Sequence, residues 1–357
     1  MISSIKIEGY RAFEEFEMEG LGRLNLLVGT NNSGKTSVLE ALYLLTSQGD
    51  PIALWNVLWR RGERIRSEVS PQTELDVCHL FHGHETHLGS KFTLSATNES
   101  PTRTVTYAIA QLKQKEQKSL LEEPAGYVLL VRGEPKPPVA TISITRAGGI
   151  NPENIPSRRL RRRVVTGSPS QFITAESLDG DSLVTLWDKV ALTPDEHFVL
   201  TALQFLDSGI ERIASQSSGP NYYGGRGGFI VKLRGKEQPI PIGSMGDGMW
   251  RMLALAIAIT QCKDGVLLVD EIDTGLHFSV MADMWRLIFR AAKALNVQVF
   301  ATTHSYDCIQ SLATVCLSDK DIKNPVTLQR IEAGRSKAVP YSEEEIIVAA
   351  DREIEVR

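Results

Sequence analysis

Residues Gly29-Thr30-Asn31-Asn32-Ser33-Gly34-Lys35-Thr36 spell GxxxxGKT. Such glycines let the backbone curl until several N–H groups face one phosphate, and the helix starting near Lys35 adds the positive end of its dipole. In that arrangement Lys35 reaches the β- and γ-phosphates of a nucleoside triphosphate. The Thr36 hydroxyl goes to Mg2+, and Asn31, Asn32, Ser33 and Ser37 belong to the same loop and first turn. A second constellation is Val266-Leu267-Leu268-Val269-Asp270-Glu271. Four apolar residues form a buried strand that delivers two carboxylates at its C-terminal end, where ligands sit in sheets of this kind. Asp270 suits the Mg2+ shell, and Glu271 suits the polarisation of an attacking water. Adjacent Asp and Glu argue against a simple P-loop kinase, whose nucleophile is its substrate and not water.

Three shorter motifs narrow the class. Ser244-Met245-Gly246-Asp247-Gly248 precedes a long apolar helix. It resembles the ABC signature LSGGQ at Ser244, Gly246 and Gly248, and departs from it at Met245 and Asp247. A serine hydroxyl, two glycines and a helix N-terminus together suit a γ-phosphate. Asp273-Thr274-Gly275-Leu276-His277 follows the acidic pair at once and looks like a D-loop. Ala301-Thr302-Thr303-His304-Ser305 ends the next strand and looks like a switch-histidine motif, with His304 directed at the γ-phosphate.

The elements that must position these residues follow from periodicity. Residues 2–8 alternate as a strand, and Leu24–Val28 is a short apolar strand ending at Gly29. A helix from Lys35 or Thr36 to Thr46 has Val38, Leu39, Leu42 and Leu45 on one face. Residues 74–81, 91–96, 103–111, 126–132 and 139–145 read as strands, and 147–170 as a Gly/Pro/Arg-rich connector. Residues 179–214 read as helical, 215–228 as a glycine-rich loop, and 229–242 as a hairpin around Gly235. Helices at 248–261 and 280–295 alternate with buried strands at 266–270 and 297–302, which predicts an α/β core with a parallel sheet. No internal repeat and no sustained heptad run is present, so a long coiled-coil arm is not expected.

The chain has 357 residues, 42% hydrophobic and 23% charged, a globular balance with room for one large domain or two ordinary ones. A net charge of −4 opposes a surface coated for nucleic acid, without excluding a local basic patch. The four cysteines are scattered and form no CxxC, which favours reduced thiols. No apolar run approaches the ~18 residues of a membrane span, and the N-terminus reads as a strand rather than a signal peptide. A cytoplasmic protein with no membrane partner is expected.

The run from Asp270 to His277, followed by Thr302-Thr303-His304-Ser305, resembles the ATPase half of the OLD-type nucleases and their stand-alone relatives. Gly9-Tyr10-Arg11-Ala12-Phe13 and Gly29 to Glu40 resemble the same proteins and also RecF and the SMC group. The likeness covers residues 1–45 and 238–312. It implies an ATP- and Mg2+-dependent homodimer or higher homo-oligomer, each site shared between the phosphate loop of one subunit and Ser244 of the other. By the same analogy Arg11 lies near the nucleotide, and Gln171 couples the site to the middle of the chain. OLD-type nucleases carry a Toprim domain after the ATPase, and residues 305–357 leave no room for one. The resemblance therefore implies a separately encoded effector, a nuclease or toxin, in prokaryotic phage defence or nucleic-acid surveillance. A RecF-like repair ATPase that binds nucleic acid itself and a non-catalytic, ATP-dependent scaffold remain open.

The expected fold is α/β, a P-loop NTPase of ABC-ATPase type with a mixed β N-terminal lobe and a helical insertion. The head spans 1–318, with lobes at 1–175 and 236–318, an insertion at 176–235, and a tail at 319–357. Two clusters stand outside this scheme. Cys78, His79, His82, His84, Glu85 and His87 crowd together, yet their spacing matches no zinc motif and strand alternation would scatter them, so an exposed hairpin turn is expected. The basic run Arg158, Arg159, Arg161, Arg162 and Arg163 lacks interleaved aromatics and reads as a solvated or partner-facing linker.

Overall fold

The computed structural model describes the chain except residues 66–72, 99–101, 112–125, 135–138, 146, 152–154, 156–167, 217–227 and 319–325. The basic run at 158–163 lies outside the described residues. Two compact units result. One comprises Met1–Gly20, Asn31–Ser168 and Ile331–Val339; the other comprises Leu21–Thr30, Pro169–Arg330 and Pro340–Arg357. The lobes expected from sequence are contiguous, whereas these units interleave the chain.

In the first unit, β1 (Ile2–Tyr10), β2 (Phe13–Met18), β6 (Lys91–Asn98), β7 (Arg103–Gln111), β8 (Tyr127–Glu134) and β9 (Val139–Ser143) form an antiparallel sheet in the order β2-β1-β6-β7-β8-β9. Its alternation is plain in β1, where Ile5 and Ile7 are buried while Lys6 pairs outside with Glu8 and Glu15. Helix α1 (Lys35–Thr46) contacts β6 and β7, and α2 (Pro51–Arg61) follows it. Asp50 caps α2 by accepting the Ile52 N–H at 3.0 Å, with Pro51 at the first helical position. A small sheet joins β4 (Arg64–Ile65), β5 (Glu74–Asp76) and β10 (Gly149–Ile150).

The strand expected over 74–81 stops at Asp76. The Asp76 carboxylate accepts the Cys78 N–H at 2.8 Å, an Asx turn that breaks the ladder. A 3-10 turn, Cys78–Leu80, replaces the rest of the strand, and a second follows at His82–His84.

In the second unit, β11 (Ser170–Ile173), β15 (Val266–Val269), β16 (Gln298–Thr302), β3 (Leu24–Val28), β17 (Val326–Arg330) and β18 (Val339–Ser342) form a six-stranded sheet in that order. The first five run parallel. Strands β3, β15 and β16 are buried at every position, as parallel strands covered on both faces must be. Asn25 is the polar exception inside β3. Its amide bonds the carbonyls of Gly22 and Val299, and its oxygen accepts from Gly22 and Thr327, so a fully satisfied side chain fixes the register of β3 between its neighbours. Residues 326–357, expected as a tail, supply β17, β18 and α8 (Glu343–Asp351), the last opened by a Ser342/Glu345 capping box.

Helices α3 (Gly180–Trp187), α4 (Pro194–Gln204), α5 (Asp247–Thr260), α6 (Phe278–Ala294) and α7 (Tyr306–Ser318) complete this unit. Helix α5 is buried from Met249 to Thr260, and α3, α4 and α6 all contact it. Helical character, expected through 214, ends earlier. Residues Ile210–Ser215 are β12, paired with β13 (Phe229–Leu233), which pairs in turn with β14 (Ile240–Pro241). A register shift between Ile210 and Arg212 puts the buried Ile210 and Ile213 three residues apart, a spacing that mimics a helix. Among the described residues no helix is long and apolar enough to cross a membrane.

Gly265 governs the entry into β15. A Cβ there would stand 1.9 Å from the Pro169 carbonyl oxygen, which accepts the Val266 N–H at 2.9 Å. Gly265→Ala is expected to push β11 and β15 apart and lower stability by about 1–3 kcal/mol. An unchanged urea unfolding midpoint would refute that close approach.

Candidate functional site

The phosphate-loop motif falls across the division between the units, with Gly29 and Thr30 in the second and Asn31–Ser37 in the first. In the first unit α1 begins at Lys35 behind Gly34, which has a φ of 102° and no side-chain cap. A Cβ on Gly34 would stand 2.4 Å from the Phe13 ring, so only glycine fits at that backbone angle. Asn31 and Asn32 are exposed, and Asn32 also takes a left-handed φ of 62°. Lys35 is only 5% exposed and Ser37 is buried. The Ser33 hydroxyl is buried with no hydrogen-bond partner. An uncapped helix start, a buried ammonium and an orphaned hydroxyl within five residues fit an anionic ligand.

Helix α1 is anchored from below by charge. Glu40, 3% exposed, takes the Arg11 Nε at 2.8 Å and the Arg61 Nε at 2.7 Å. The Arg11 guanidinium also reaches Glu63 and the His79 carbonyl, and its Nε lies 3.1 Å from the Tyr10 hydroxyl. Burial opposes the charge on Arg11, but Tyr10, Glu40 and Glu63 outweigh it and hold the guanidinium above its ordinary value. The structure thus gives Arg11 two carboxylates of its own unit as partners, Glu40 buried and Glu63 partly buried.

In the second unit the two acidic residues leave β15 on diverging paths. The Asp270 N–H donates to the Ile173 carbonyl at 2.8 Å. Thr302, at the end of β16, donates its hydroxyl to Asp270 Oδ1 at 2.6 Å and accepts the Glu271 N–H at 2.8 Å. Glu271 has a φ of 48°, rare for a residue with a side chain. Its Oε2 accepts from the Thr274 hydroxyl at 3.2 Å. One hydroxyl therefore fixes the carboxylate of the first acid and the backbone of the second.

The neighbouring motifs lock onto the same strand ends. Thr303 donates to Asp273 Oδ1 at 2.6 Å. Gly275, at a φ of 77°, packs beside Asp247, and a Cβ on Gly248 would stand 3.0 Å from the Gly275 carbonyl oxygen. The loop holding Asp273 and the start of α5 are thus in close backbone contact. Ser244, in a 3-10 turn, and Gly246, the uncapped N-cap of α5, are exposed beside it. His304 is exposed, and its carbonyl accepts from Arg357 at 2.9 Å. Gln171 lies inside β11 opposite Leu267, two residues before the strand end, and is not part of this hydrogen-bonded cluster.

Sequence reasoning missed Arg251. It sits on α5, 2% exposed, and its guanidinium donates to the carbonyls of Thr174 at 2.7 Å, Asp270 at 2.8 Å and Glu271 at 2.7 Å. Burial pulls it down to about 10, against the carboxylates of Asp273, Asp270 and Glu271, so it stays protonated at neutral pH. The signal was an arginine one turn into an otherwise apolar, fully buried helix, a position that demands a partner. Arg251 connects the start of α5 to the backbone of both acids and to the residue after β11.

Residues 24–307 match the family model described as "AAA domain, putative AbiEii toxin, Type IV TA system". The chain belongs to that AAA-domain family. Over 95% of both chains it is 24% identical to a protein of Helicobacter pylori named ATP/GTP phosphatase. A shorter stretch of 45 residues, 13% of this chain and 12% of the other, is 36% identical to the DNA replication and repair protein RecF of Clostridioides difficile. Among solved structures, an SMC head bound to the C-terminal winged-helix domain of ScpA superposes with a TM-score of 0.52 at 13% identity, covering 96% of this chain and 97% of that one. The AAA-domain chain therefore has the SMC-head form of the P-loop NTPase fold, with RecF among its relatives.

Replacing Arg251 by Met would keep the apolar stem and orphan three buried carbonyls, at about 1–3 kcal/mol each before relaxation. A clearly lower urea midpoint is expected, with Arg251→Lys recovering only part of it because an ammonium cannot reproduce the planar fork. Equal midpoints for Met, Lys and the parent would contradict the bridging role.

Proposed function

We propose that this protein is an ATPase that uses Mg2+ and works as a nucleotide-linked homodimer or higher homo-oligomer. The observation that carries the reading is the held pair of carboxylates, Asp270 and Glu271, at the end of a buried parallel strand. Lys35 and the N–H groups of Gly29, Asn31, Asn32, Ser33, Gly34, Thr36 and Ser37 bind the phosphates, helped by the uncapped start of α1. Thr36 and Asp270 hold Mg2+, which supplies charge neutralisation on the phosphate oxygens when bound. Glu271 accepts a proton from the attacking water, and His304 orients that water against the γ-phosphate. Ser244, Gly246 and Gly248 meet the nucleotide of the partner subunit, with Asp273 beside them. Arg11 acts on the phosphate loop through Glu40, and Gln171 relays the site's state to the middle of the chain.

Hydrolysis opens what ATP closes, so the protein is a timed switch. Its use is the control of a separately encoded effector in phage defence or nucleic-acid surveillance, as in an OLD-like ATPase. The family description, which names a toxin–antitoxin system, supports this reading. The head takes in β17, β18 and α8 as well as 1–318, because β17 pairs with β3 in its parallel sheet. A second reading, a RecF-like ATPase that binds DNA, draws on the RecF match. DNA-stimulated, salt-sensitive turnover would favour it.

Glu271→Gln tests the core of the proposal. ATP turnover is expected to fall by about 10²-fold or more while ATP binding survives, and solution mass with Mg-ATP to shift to a stable dimer or larger assembly. Persisting turnover, or a mass that ignores ATP in both parent and variant, would remove Glu271 and the shared site from the mechanism. A parent that binds ATP without turning it over would instead be a scaffold.

A further inference from the structure

We propose that Asp76, Cys78 and His79 form a binding site for a zinc-class transition-metal ion. Strand alternation would have scattered these side chains, but the Asx turn at Asp76 ends β5 and the following 3-10 turn gathers them. One ligand atom from each now lies within 4.8 Å of the other two, the one such group among the described residues. The His79 Nε2 stands 3.8 Å from Asp76 Oδ2. Ligand bonds of about 2.0–2.3 Å in a tetrahedral shell place neighbouring ligand atoms about 3.3–3.8 Å apart. Small side-chain rotations close the remaining gap.

The ligand chemistry is specific. A thiolate, an imidazole and a carboxylate together select a borderline-soft, four-coordinate ion over Mg2+ or Ca2+, which take oxygen shells. Asp76 divides its labour, with Oδ1 accepting the Cys78 N–H and Oδ2 turned towards His79. His79 is only half-covered and Asp76 about one-quarter exposed, which leaves solvent access for the ion and for a fourth ligand from water.

The second ring nitrogen of His79 is also placed. Its Nδ1 lies 3.3 Å from the Nδ1 of His84. If His79 donates there, its proton is on Nδ1 and the Nε2 lone pair faces Asp76, the tautomer a ligand needs. His84 reaches this position because Gly83 and His84 both take positive φ, 83° and 59°. The turn is held by Arg11, whose N–H donates to the Leu80 carbonyl at 3.0 Å and whose guanidinium reaches the His79 carbonyl. His82 closes the loop with its Nδ1 2.9 Å from the Arg11 carbonyl oxygen. A metal ion would clip β5 to this turn, binding with release of the Cys78 thiol proton.

Metal-free, full-length protein titrated with Co2+ in excess Mg2+ tests the site. Expected is one equivalent of Co2+ with a thiolate-to-cobalt charge-transfer band, displaced by Zn2+, and a thermal midpoint raised by Zn2+. Cys78→Ser should abolish the band, and Asp76→Asn should weaken Co2+ binding about 10-fold or more. His84→Ala should cost about 10–100-fold, with His84→Gln recovering part because its amide oxygen can still accept from His79. No charge-transfer band in the parent, or an equal band in Cys78→Ser, would overturn the proposal. Should Cys78→Ser fail to fold, unchanged Co2+ affinity in Asp76→Asn would overturn it equally.

Discussion

Two acidic residues in succession cannot both project from the end of one strand towards the same place. Strand geometry sends alternate side chains to opposite faces. The chain meets this constraint by turning immediately after Val269, and Glu271 adopts a left-handed backbone angle as the consequence. Such a conformation costs about 1–3 kcal/mol and persists only where the surroundings fix it. Here Thr302 holds the amide side of Glu271 and Arg251 holds its carbonyl side. The rest of the second unit can be understood as support for that turn. Strand β16 must end at a hydroxyl residue, α5 must carry a buried arginine, and the strands between them must be covered on both faces.

The first unit has a parallel logic built on charge. Glu40 faces inward from α1, where an unpaired carboxylate would be strongly disfavoured. Two arginines answer it, one from the turn between β1 and β2 and one from the end of α2. Arg11 then spends its remaining donors on Glu63 and on the 3-10 turn after β5. The phosphate-loop helix, the first hairpin and the cysteine–histidine turn are thereby joined through one guanidinium.

Much of the fold was legible because the determinants are local. The all-apolar β3, β15 and β16 announced parallel strands, and the helices between them showed their apolar faces. The misreadings have physical causes too. A bulge gave β12 a helical spacing of its buried isoleucines, and an Asx turn ended β5 where alternation alone would have continued it. The interleaving of the two units was hidden because contact between segments distant in the chain leaves no period in the sequence.

The sequence by itself determined which residues can do chemistry. GxxxxGKT and the Asp270–Glu271 pair are recognisable because phosphate binding and carboxylate chemistry would demand particular groups at fixed short spacings. Tertiary structure alone decided what holds those groups. Arg251 is 19 residues from Asp270 in the chain, Thr302 is 31 from Glu271, and Arg11 is 52 from Glu63. A hydrogen bond across such a gap depends on where the chain returns, and the chain returns where burial and backbone pairing are satisfied together. The same reason separates the crowded Cys78–His84 segment, visible in the sequence, from the gathering of Asp76, Cys78 and His79 around one point, which required the turn to be seen.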